Sequence, residues 1–296
     1  MIDFLKFRLV TALVSASLMI GFVGLSVYRY QTRGQVFSYS IDFTGGTQVL
    51  MHFDDPVKTS AVTEALAAHG WGSATTREFS DRDVLIRVKE YANDATGLAK
   101  NMRDALAQSL SRNDITIEQS DTVGAGIVDM LRTNSIYAII ISLFLISLYI
   151  AFRFWSWAFA IGAGVSLFHD AIAVLFFFLL FDIEISINVI GAILTVLGYS
   201  INDTIVIFSR IRENLKTMPS TPVYDVVNIS LNQTLRRTLL TTLATTLPVA
   251  VMCVYGGEAL HDLSFALLVG IVFGIYSSIY IASSIVLELY QRRSHA

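Results

Sequence analysis

Three ionisable side chains lie inside long apolar stretches of this sequence, where a charge is costly. Asp203 lies within the apolar run 186–208, and His169 and Asp170 stand side by side within the run 156–181. An ionisable residue at membrane depth costs about 2.5–3.5 kcal/mol on insertion scales, so it is a functional hypothesis by default. Carboxyl groups and an imidazole in such places are suited to carrying protons. These residue types favour ion-coupled transport over soluble catalysis.

Helical periodicity predicts a polar stripe around Asp203. At about 100° per residue one face collects Gly191, Thr195, Gly198, Tyr199, Asn202 and Ser209, with Asp203 at its edge. If the helix is centred near Leu197, Asp203 lies roughly 9 Å from the midplane on the cytoplasmic side. We expect the stripe to face other helices or water, and Asp203 to relay protons with Asn202 beside it. An Asp that is bonded to a neighbouring helix for packing alone is the alternative.

His169 and Asp170 are adjacent, and adjacent residues on a helix point about 100° apart. At least one of them must therefore face the interior of the bundle. A histidine changes its charge near neutral pH, which suits a relay. An internally satisfied polar pair that orients two helices is an equally good reading, and Asp170 is the stronger functional candidate of the two.

Two adjacent arginines, Arg236 and Arg237, precede an apolar segment that is rich in threonine. Five threonines fall within nine residues, including Thr241 and Thr242, and Pro248 follows them. Threonine hydroxyls can bond to the backbone carbonyl that a proline leaves unpaired in a membrane helix. Either arginine can anchor the helix at the inner surface, and this reading suits Arg236 better than Arg237.

Composition indicates a membrane protein, since 54% of the 296 residues are hydrophobic and 15% are charged. A soluble chain of this length would carry about 25% charged residues. A helix needs about 20 mostly apolar residues to span a bilayer. Six runs qualify, at roughly 9–28, 134–152, 156–181, 186–208, 238–255 and 263–288. The first run is long for a signal peptide, so we interpret it as a retained anchor.

Basic residues predict the orientation of these spans. Lysines and arginines flank the runs on the side of both termini, whereas the short loops after the third and fifth runs have none. The positive-inside rule places both termini in the cytoplasm. The predicted parts are the terminus with the first helix (1–29), an extracytoplasmic domain (30–130), helices two to six (131–290) and a cytoplasmic tail (291–296).

The remaining composition excludes several classes of site. Cys253 is the only cysteine, so the chain has neither a disulfide framework nor a cysteine-based metal site. The basic residues form a collar at the inner membrane surface and do not form a nucleic-acid patch. We expect no cofactor and no metal.

Residues 30–130 alternate between strand and helix patterns. The pattern predicts the order β-α-β-β-α-β of a ferredoxin-like α+β domain, although its second strand, near 73–79, is weakly marked. The predicted elements are extended structure over Val36–Phe53, helices over Val57–His69 and Asp94–Leu110, and strands over Asp83–Lys89 and Ile115–Ser120. Nothing in this segment resembles an active site.

A short motif interrupts the first extended stretch at two adjacent glycines. Its residues are Asp42, Phe43, Thr44, Gly45 and Gly46. Paired glycines allow backbone conformations closed to other residues, and Asp and Thr side chains can bond nearby backbone amides. We expect a tight turn near the membrane, in preference to a binding site.

Several motifs together resemble the SecF family of protein-export membrane subunits, in the resistance-nodulation-division (RND) superfamily. They occur in family order along nearly the whole chain, and the motif at Gly198, Tyr199, Ser200 and Asp203 is the most specific. The matching segments are 41–46, 169–170, 198–208, 210–214, 232–238 and 276–280. The chain departs from the family pattern at Ser40, often glycine there, and at Ser209, commonly aspartate.

The resemblance implies a non-enzymatic membrane protein with six transmembrane helices, which is half of an RND-type twelve-helix unit. It implies SecD as partner, association with the SecYEG translocon, with YajC and YidC as further family partners, and contact with the translocating preprotein. The bacterial inner membrane and the proton motive force follow from the same resemblance. It also implies that Asp203 is the functional acid and Arg237 the functional arginine.

Three other functions remain as alternatives. An RND-type exporter of a small molecule or lipid would carry larger outer domains than this chain has. An aspartyl intramembrane protease would use Asp170 and Asp203, but its Gly-x-Gly-Asp motif is replaced by Ser-Ile-Asn-Asp at Asp203. A purely structural subunit would use its polar residues only to hold SecD.

Overall fold

The computed structural model of the chain describes residues 1–89 and 94–294. The structure divides into a helical unit, residues 1–38 with 135–296, and an α+β unit, residues 39–134. Six helices are long and apolar enough to cross a membrane. The six-span fold is therefore confirmed.

The elements follow one another along the chain with short connections. In order they are α1 (Arg8–Arg33), α2 (Ile41–Thr44), β1 (Gly46–Phe53), α3 (Thr59–Ala68), β2 (Thr75–Glu78), β3 (Asp83–Val88), α4 (Ala95–Leu110), β4 (Ile115–Val123), α5 (Ala125–Phe154), α6 (Trp157–Phe181), α7 (Ile187–Thr217), α8 (Val223–Tyr255), α9 (Glu258–Tyr276), a π-helical turn (Ser277–Ala282) and α10 (Ser283–Ser294). The last three form one continuous span.

Two of the membrane helices extend well beyond their apolar runs. Helix α7 continues through polar residues to Thr217, and α8 begins at Val223, directly after Pro222. Proline is well tolerated at a helix start, because the first N–H groups have no partner within the helix. The predicted span began at residue 238, directly after the two arginines. In the structure Arg236 and Arg237 lie inside α8 and not at its first turn.

Helices α6 and α7 form the centre of the helical unit. Half of the apolar window of each is buried, against 6% for α1 and 11% for α5 and α8. Gly270 in α9 lets Val196 of α7 approach so closely that a Cβ at Gly270 would lie 2.2 Å from it. Gly274, one turn later, faces Ser200 in the same way. The helices therefore pack closely at this glycine pair, next to Val196 and Ser200.

A cluster of charged residues joins α1 to the connection between α6 and α7. Asp182 pairs with Arg29 and accepts a second bond from Arg33 Nη1 at 2.7 Å. The Ser38 hydroxyl also donates to Asp182, at 2.8 Å, and the Ser38 carbonyl accepts from the Ile185 amide. Burial would raise the pKa of Asp182, but these hydrogen bonds hold it well below the usual value. The cluster ties the α1 end to the α6–α7 connection.

Replacing Asp182 by Asn is expected to lower the free energy of unfolding by about 1 kcal/mol at neutral pH. Its side chain is 40% exposed, so solvent screens the pairs and limits their contribution. A depressed pKa means that the contribution is present above the ordinary carboxyl pKa of about 3.9 and disappears as the pH falls through the folded-state value. Thermal melting of both proteins from neutral to acidic pH measures this. A difference that grows on acidification would contradict it.

The α+β unit has the ferredoxin-like arrangement that the sequence predicts. Its antiparallel sheet has the strand order β2-β3-β1-β4, and the β1–α3–β2 and β3–α4–β4 units provide its two helices. One face of the sheet forms a core with α3 and α4. Its largest fully buried side chains are Phe53, Met51, Leu66, Ile86, Met102 and Leu106.

The glycine motif forms a helical turn and not the extended strand that the sequence predicted over its first half. Ser40 begins helix α2, and its hydroxyl accepts from the Asp42 amide at 3.3 Å. The Thr44 hydroxyl donates to the Ser40 carbonyl at 3.0 Å. At Gly46, with φ of 109°, a Cβ would lie 2.3 Å from the Val88 carbonyl oxygen. A glycine is therefore required where β1 enters the sheet.

The neighbouring residues of the motif are also fixed within the α+β unit. Phe43 is buried, and its carbonyl accepts from Arg132 Nη2 at 3.0 Å. Gly45 has φ of 76° and lies against Val128. These contacts fit the turn that the sequence favours at this point.

Three polar side chains from different strands meet in this unit. His52 Nδ1 lies 2.5 Å from Asp83 Oδ1, and Glu118 completes a group whose ligand atoms lie within 4.8 Å of one another. The hydrogen bond that His52 donates to the Asp83 carboxylate raises the pKa of His52. Sequence spacing does not reveal this group, because strand pairing creates it. The His52–Asp83 bond already satisfies both partners.

Candidate functional site

Asp170 lies at the centre of the helical unit and is fully buried. The Ser200 hydroxyl of α7 donates to its Oδ2 at 2.6 Å, and Ser277 also interacts with the carboxyl group. Its Oδ1 has no hydrogen bond among the described residues. Asp170 therefore joins α6 to α7 and to the π-helical turn, with one oxygen left available.

The π-helical turn places Ser277 beside this carboxyl group and Ser278 beside Thr204 of α7. Ser278 and Thr204 of α7 share a hydrogen bond at 2.7 Å, and Thr204 also donates to the Ser200 carbonyl. A π-helical turn adds one residue and is frequently found at functional sites. Nothing in the residue pattern of this segment marks a π-helical turn.

His169 lies against aromatic side chains of the last span. Its ring centroid lies 5.8 Å from that of Tyr276 and 6.0 Å from that of Phe273. Its Nδ1 is 3.6 Å from Asp170 Oδ1, which is too long for a hydrogen bond. Neither ring nitrogen is hydrogen-bonded within the described chain. The internally satisfied His–Asp pair is not formed.

Asp203 is buried at the interface between α7 and α8, with 5% of its surface exposed. The side chains that act on its carboxyl group are Thr242 and, through its charge, Arg237. The Thr242 hydroxyl faces it without hydrogen-bond geometry, and the Thr238 hydroxyl nearby on α8 is likewise buried and unpaired in the described residues. Of the two adjacent arginines, Arg237 is the one whose charge affects the Asp203 carboxyl group in this structure. The pairing of Asp203 with Arg237 stays a prediction.

The Asp203–Arg237 pair is open in this structure. Within the part of the chain that is described, no arginine nitrogen comes within 4.0 Å of the Asp203 carboxylate. The Thr241 hydroxyl donates to the Arg237 carbonyl at 3.0 Å and not to a side chain. Arg237 itself is exposed in the chain taken alone. The two side chains therefore form no ion pair in this structure.

The remaining predicted residues separate into two groups on α7. Ser200, Asp203 and Thr204 are buried, whereas Asn202 and Gly198 are exposed. The Tyr199 hydroxyl is buried and has no hydrogen-bond partner in the described residues. The stripe that continues through Gly191 and Thr195 is also exposed. Its polar surface has no covering helix within the described chain.

Replacing Asp170 by Ala is expected to lower the yield of folded protein several-fold, and more than Asp203→Asn does. The substitution leaves the buried Ser200 hydroxyl without its partner, a cost of about 1–3 kcal/mol. Asn at 203 keeps the size and polarity of the side chain. Expression of both variants as fluorescent fusions, followed by size-exclusion chromatography, measures this. Equal, wild-type yields would refute the structural role of Asp170.

The fold and the buried acidic side chains of its central helices define a multi-pass membrane protein, half of an RND-type unit. The family described as "Protein export membrane protein SecD/SecF, C-terminal" matches residues 102–292, and the "SecD/SecF GG Motif" matches residues 34–57. The chain belongs to the SecF family of protein translocase subunits. The predicted resemblance is confirmed.

Curated relatives agree with this assignment over nearly the whole chain. Protein translocase subunit SecF of Rhodothermus marinus is 37% identical, covering 90% of this chain and 88% of its own length. The SecF of Haemophilus influenzae is 36% identical, covering 99% of this chain and 87% of its own. These matches support a role in Sec protein export.

The crystal structure of SecDF from Thermus thermophilus, a translocon-associated membrane protein, has the same fold. It superposes with a TM-score of 0.82 at 35% identity, covering 96% of this chain and 38% of the SecDF chain. SecDF in a super-membrane-facing form gives a TM-score of 0.68 at 32% identity, covering 99% and 39%. This chain thus spans well under half of those proteins. The fused relative supports SecD as the partner in the Sec machinery.

Proposed function

We propose that this chain, together with SecD, uses the proton motive force to promote preprotein translocation across the bacterial inner membrane. Asp203 binds and releases the proton, and Arg237 responds to its charge. Asp170, with Ser200 and the π-helical serines, transmits the change between helices. Both termini lie in the cytoplasm, and the α+β unit lies on the opposite side.

The observation that carries this proposal is the open pair of Asp203 and Arg237. Asp203 is buried, yet the single cation that acts on it holds no contact within 4.0 Å in the described structure. A purely structural ion pair in a membrane would be closed, because a buried charge without a partner is costly. An open pair suits a site that alternates between a neutral and a charged carboxyl group.

The energies are adequate for such a switch. Closing the pair to about 4 Å is worth roughly 4 kcal/mol at an effective dielectric constant of 20. One charge crossing the membrane potential supplies about 2.3 kcal/mol per 100 mV. One or two protons per cycle therefore match the energy needed to bias two arrangements of α7 and α8.

Hydrogen bonds provide a route from this site to the rest of the bundle. Thr204 follows Asp203 directly and bonds to Ser278 of the π-helical turn. One turn earlier, Ser200 bonds to Asp170 of α6. A displacement of α7 would change both bonds at once, because both partners are buried and held by neighbouring helices.

SecD is proposed to cover the exposed stripe on α7. The stripe holds Gly191, Thr195, Gly198 and Asn202, and small residues let helices of a membrane protein approach closely. Polar groups at membrane depth also need a partner other than lipid. The fused SecDF relatives, of which this chain spans a little over a third, support SecD as that partner. The SecYEG translocon, YajC, YidC and the preprotein are the further proposed partners.

The geometry argues against an aspartyl protease and supports a non-enzymatic subunit. A catalytic aspartyl pair shares one proton between neighbouring carboxyl groups. Here Asp170 accepts from Ser200, whereas Asp203 faces Thr242 and Arg237 of α8. No hydrogen bond joins the two carboxyl groups among residues 1–89 and 94–294.

Preprotein translocation into inverted membrane vesicles tests the proposal. Vesicles that contain SecYEG, SecD and this chain are given a proton gradient, a sodium gradient or neither. We expect the proton gradient alone to speed completion of translocation, and the stimulation to vanish when this chain is omitted. If this chain speeds translocation equally with and without a gradient, it is a structural subunit. If only the sodium gradient speeds translocation, the proton is not the coupling ion.

A further inference from the structure

An apolar cleft with a volume of about 300 Å³ lies between α1, α6 and the last span. Most of its wall is hydrocarbon, contributed by Ala12, Ala16, Met19, Val165, Phe168 and Ile281. Phe168 is 53% exposed, so the cleft opens sideways to the surroundings of the bundle. A cleft with such walls fits an alkyl chain better than water, which needs two to four polar partners.

Two polar groups of the cleft stand without a partner near one end of the bundle. Arg8 is half-buried and lines the cleft, and no carboxylate of the described chain lies within ion-pair distance of it. The Ser284 hydroxyl is buried and makes no hydrogen bond in the same residues. Arg8 begins α1, and Ser284 lies about two helical turns before Arg292. Both therefore belong to the end of the bundle that carries the chain termini.

His169 forms a buried part of the cleft wall, with 2% of its surface exposed. Its Nδ1 lies 3.6 Å from Asp170 Oδ1, so an acidic group of the bundle interior lies beside it. Arg8 is therefore the charged group of the cleft with which an occupant can pair.

We propose that the cleft binds one anionic phospholipid, with its phosphate on Arg8 and one acyl chain along α1 and α6 toward His169. An arginine guanidinium pairs well with phosphate. The uncompensated charge of Arg8 favours an anionic over a zwitterionic lipid. The sideways opening at Phe168 allows the lipid to enter from the bilayer.

Native mass spectrometry of the full chain, purified with SecD, tests this inference. Phosphatidylglycerol or phosphatidylcholine is titrated into the delipidated protein in detergent. We expect one phosphatidylglycerol to bind preferentially, and Arg8→Gln to weaken its binding about fivefold while phosphatidylcholine is unaffected. Lys6→Gln is the matched control, because Lys6 lies two residues before Arg8 and does not line the cleft. It should bind both lipids like the wild type.

A second variant tests the apolar part of the cleft. Ala16→Phe fills the space beside Met19 and should weaken binding of both lipids several-fold. Retention of SecD and an unchanged melting temperature verify that each variant is folded. The proposal is overturned if Arg8→Gln binds phosphatidylglycerol normally, if Lys6→Gln loses as much, or if Ala16→Phe binds both lipids like the wild type.

Discussion

Asp203→Asn is expected to abolish the stimulation of export by a proton gradient, while the chain remains folded and bound to SecD. Asparagine keeps the size and polarity of the side chain, but it cannot take up or release a proton. The rate with a gradient should therefore fall to the rate without one. Translocation into inverted vesicles, with and without the gradient, gives the measurement.

The matched control for this experiment is Asp182→Asn, the same chemical change in the same helical unit. Asp182 lies in the connection after α6 and pairs with Arg29 and Arg33, so its loss should affect stability and leave gradient-driven export intact. Asp203→Glu should retain part of the stimulation, because the carboxyl group survives about one methylene away. Normal stimulation in Asp203→Asn would end the proposed relay.

Apolar length and charge were sufficient to predict the six spans, because the bilayer imposes both on any helix that crosses it. For the α+β unit, the alternation of apolar and polar residues and the helical periodicity were sufficient to predict the order of the elements. The helix ends were less accurate. Helices α7 and α8 continue through polar residues, since no helix breaker occurs between the apolar run and Thr217, or between Val223 and Arg236.

Features that depend on local backbone bonding or on contacts between distant segments were missed. The α2 turn forms because Ser40 caps it, which a strand pattern over Val36–Phe53 conceals. The π-helical turn leaves no signature in residues 277–282. The His52–Asp83 bond needs the β1–β3 register, which spacing along the chain does not give.

The sequence selected the candidate residues of the site but not all of their geometry. The cost of burying an acid was enough to select Asp203 and Asp170. The assignment of Ser200 to Asp170, and the separation of His169 from both acids, required the packing of α6 against α7 and the last span. The stripe through Gly191 and Asn202 was expected to face helices or water, and it is exposed in the described chain.

The two adjacent arginines of α8 are expected to respond differently to the same substitution. Arg237 acts on the Asp203 carboxyl group through its charge, whereas Arg236 does not. They are equally exposed in the chain alone, so burial does not distinguish them. Adjacent helical residues point about 100° apart, and only one of the two can face α7 at the level of Thr238 and Thr242.

Arg237→Lys is therefore expected to reduce gradient-driven export about tenfold, the equivalent of ~1.4 kcal/mol. A lysine keeps the charge, but its ammonium on a flexible stem does not reproduce the planar fork with which a guanidinium binds a carboxylate. Arg236→Lys should export normally, because a lysine anchors a helix at the membrane surface as well as an arginine does. Both variants are compared in the vesicle assay at equal SecD content. If Arg236→Lys is the damaged variant, the arginine that serves Asp203 has been assigned to the wrong side of α8.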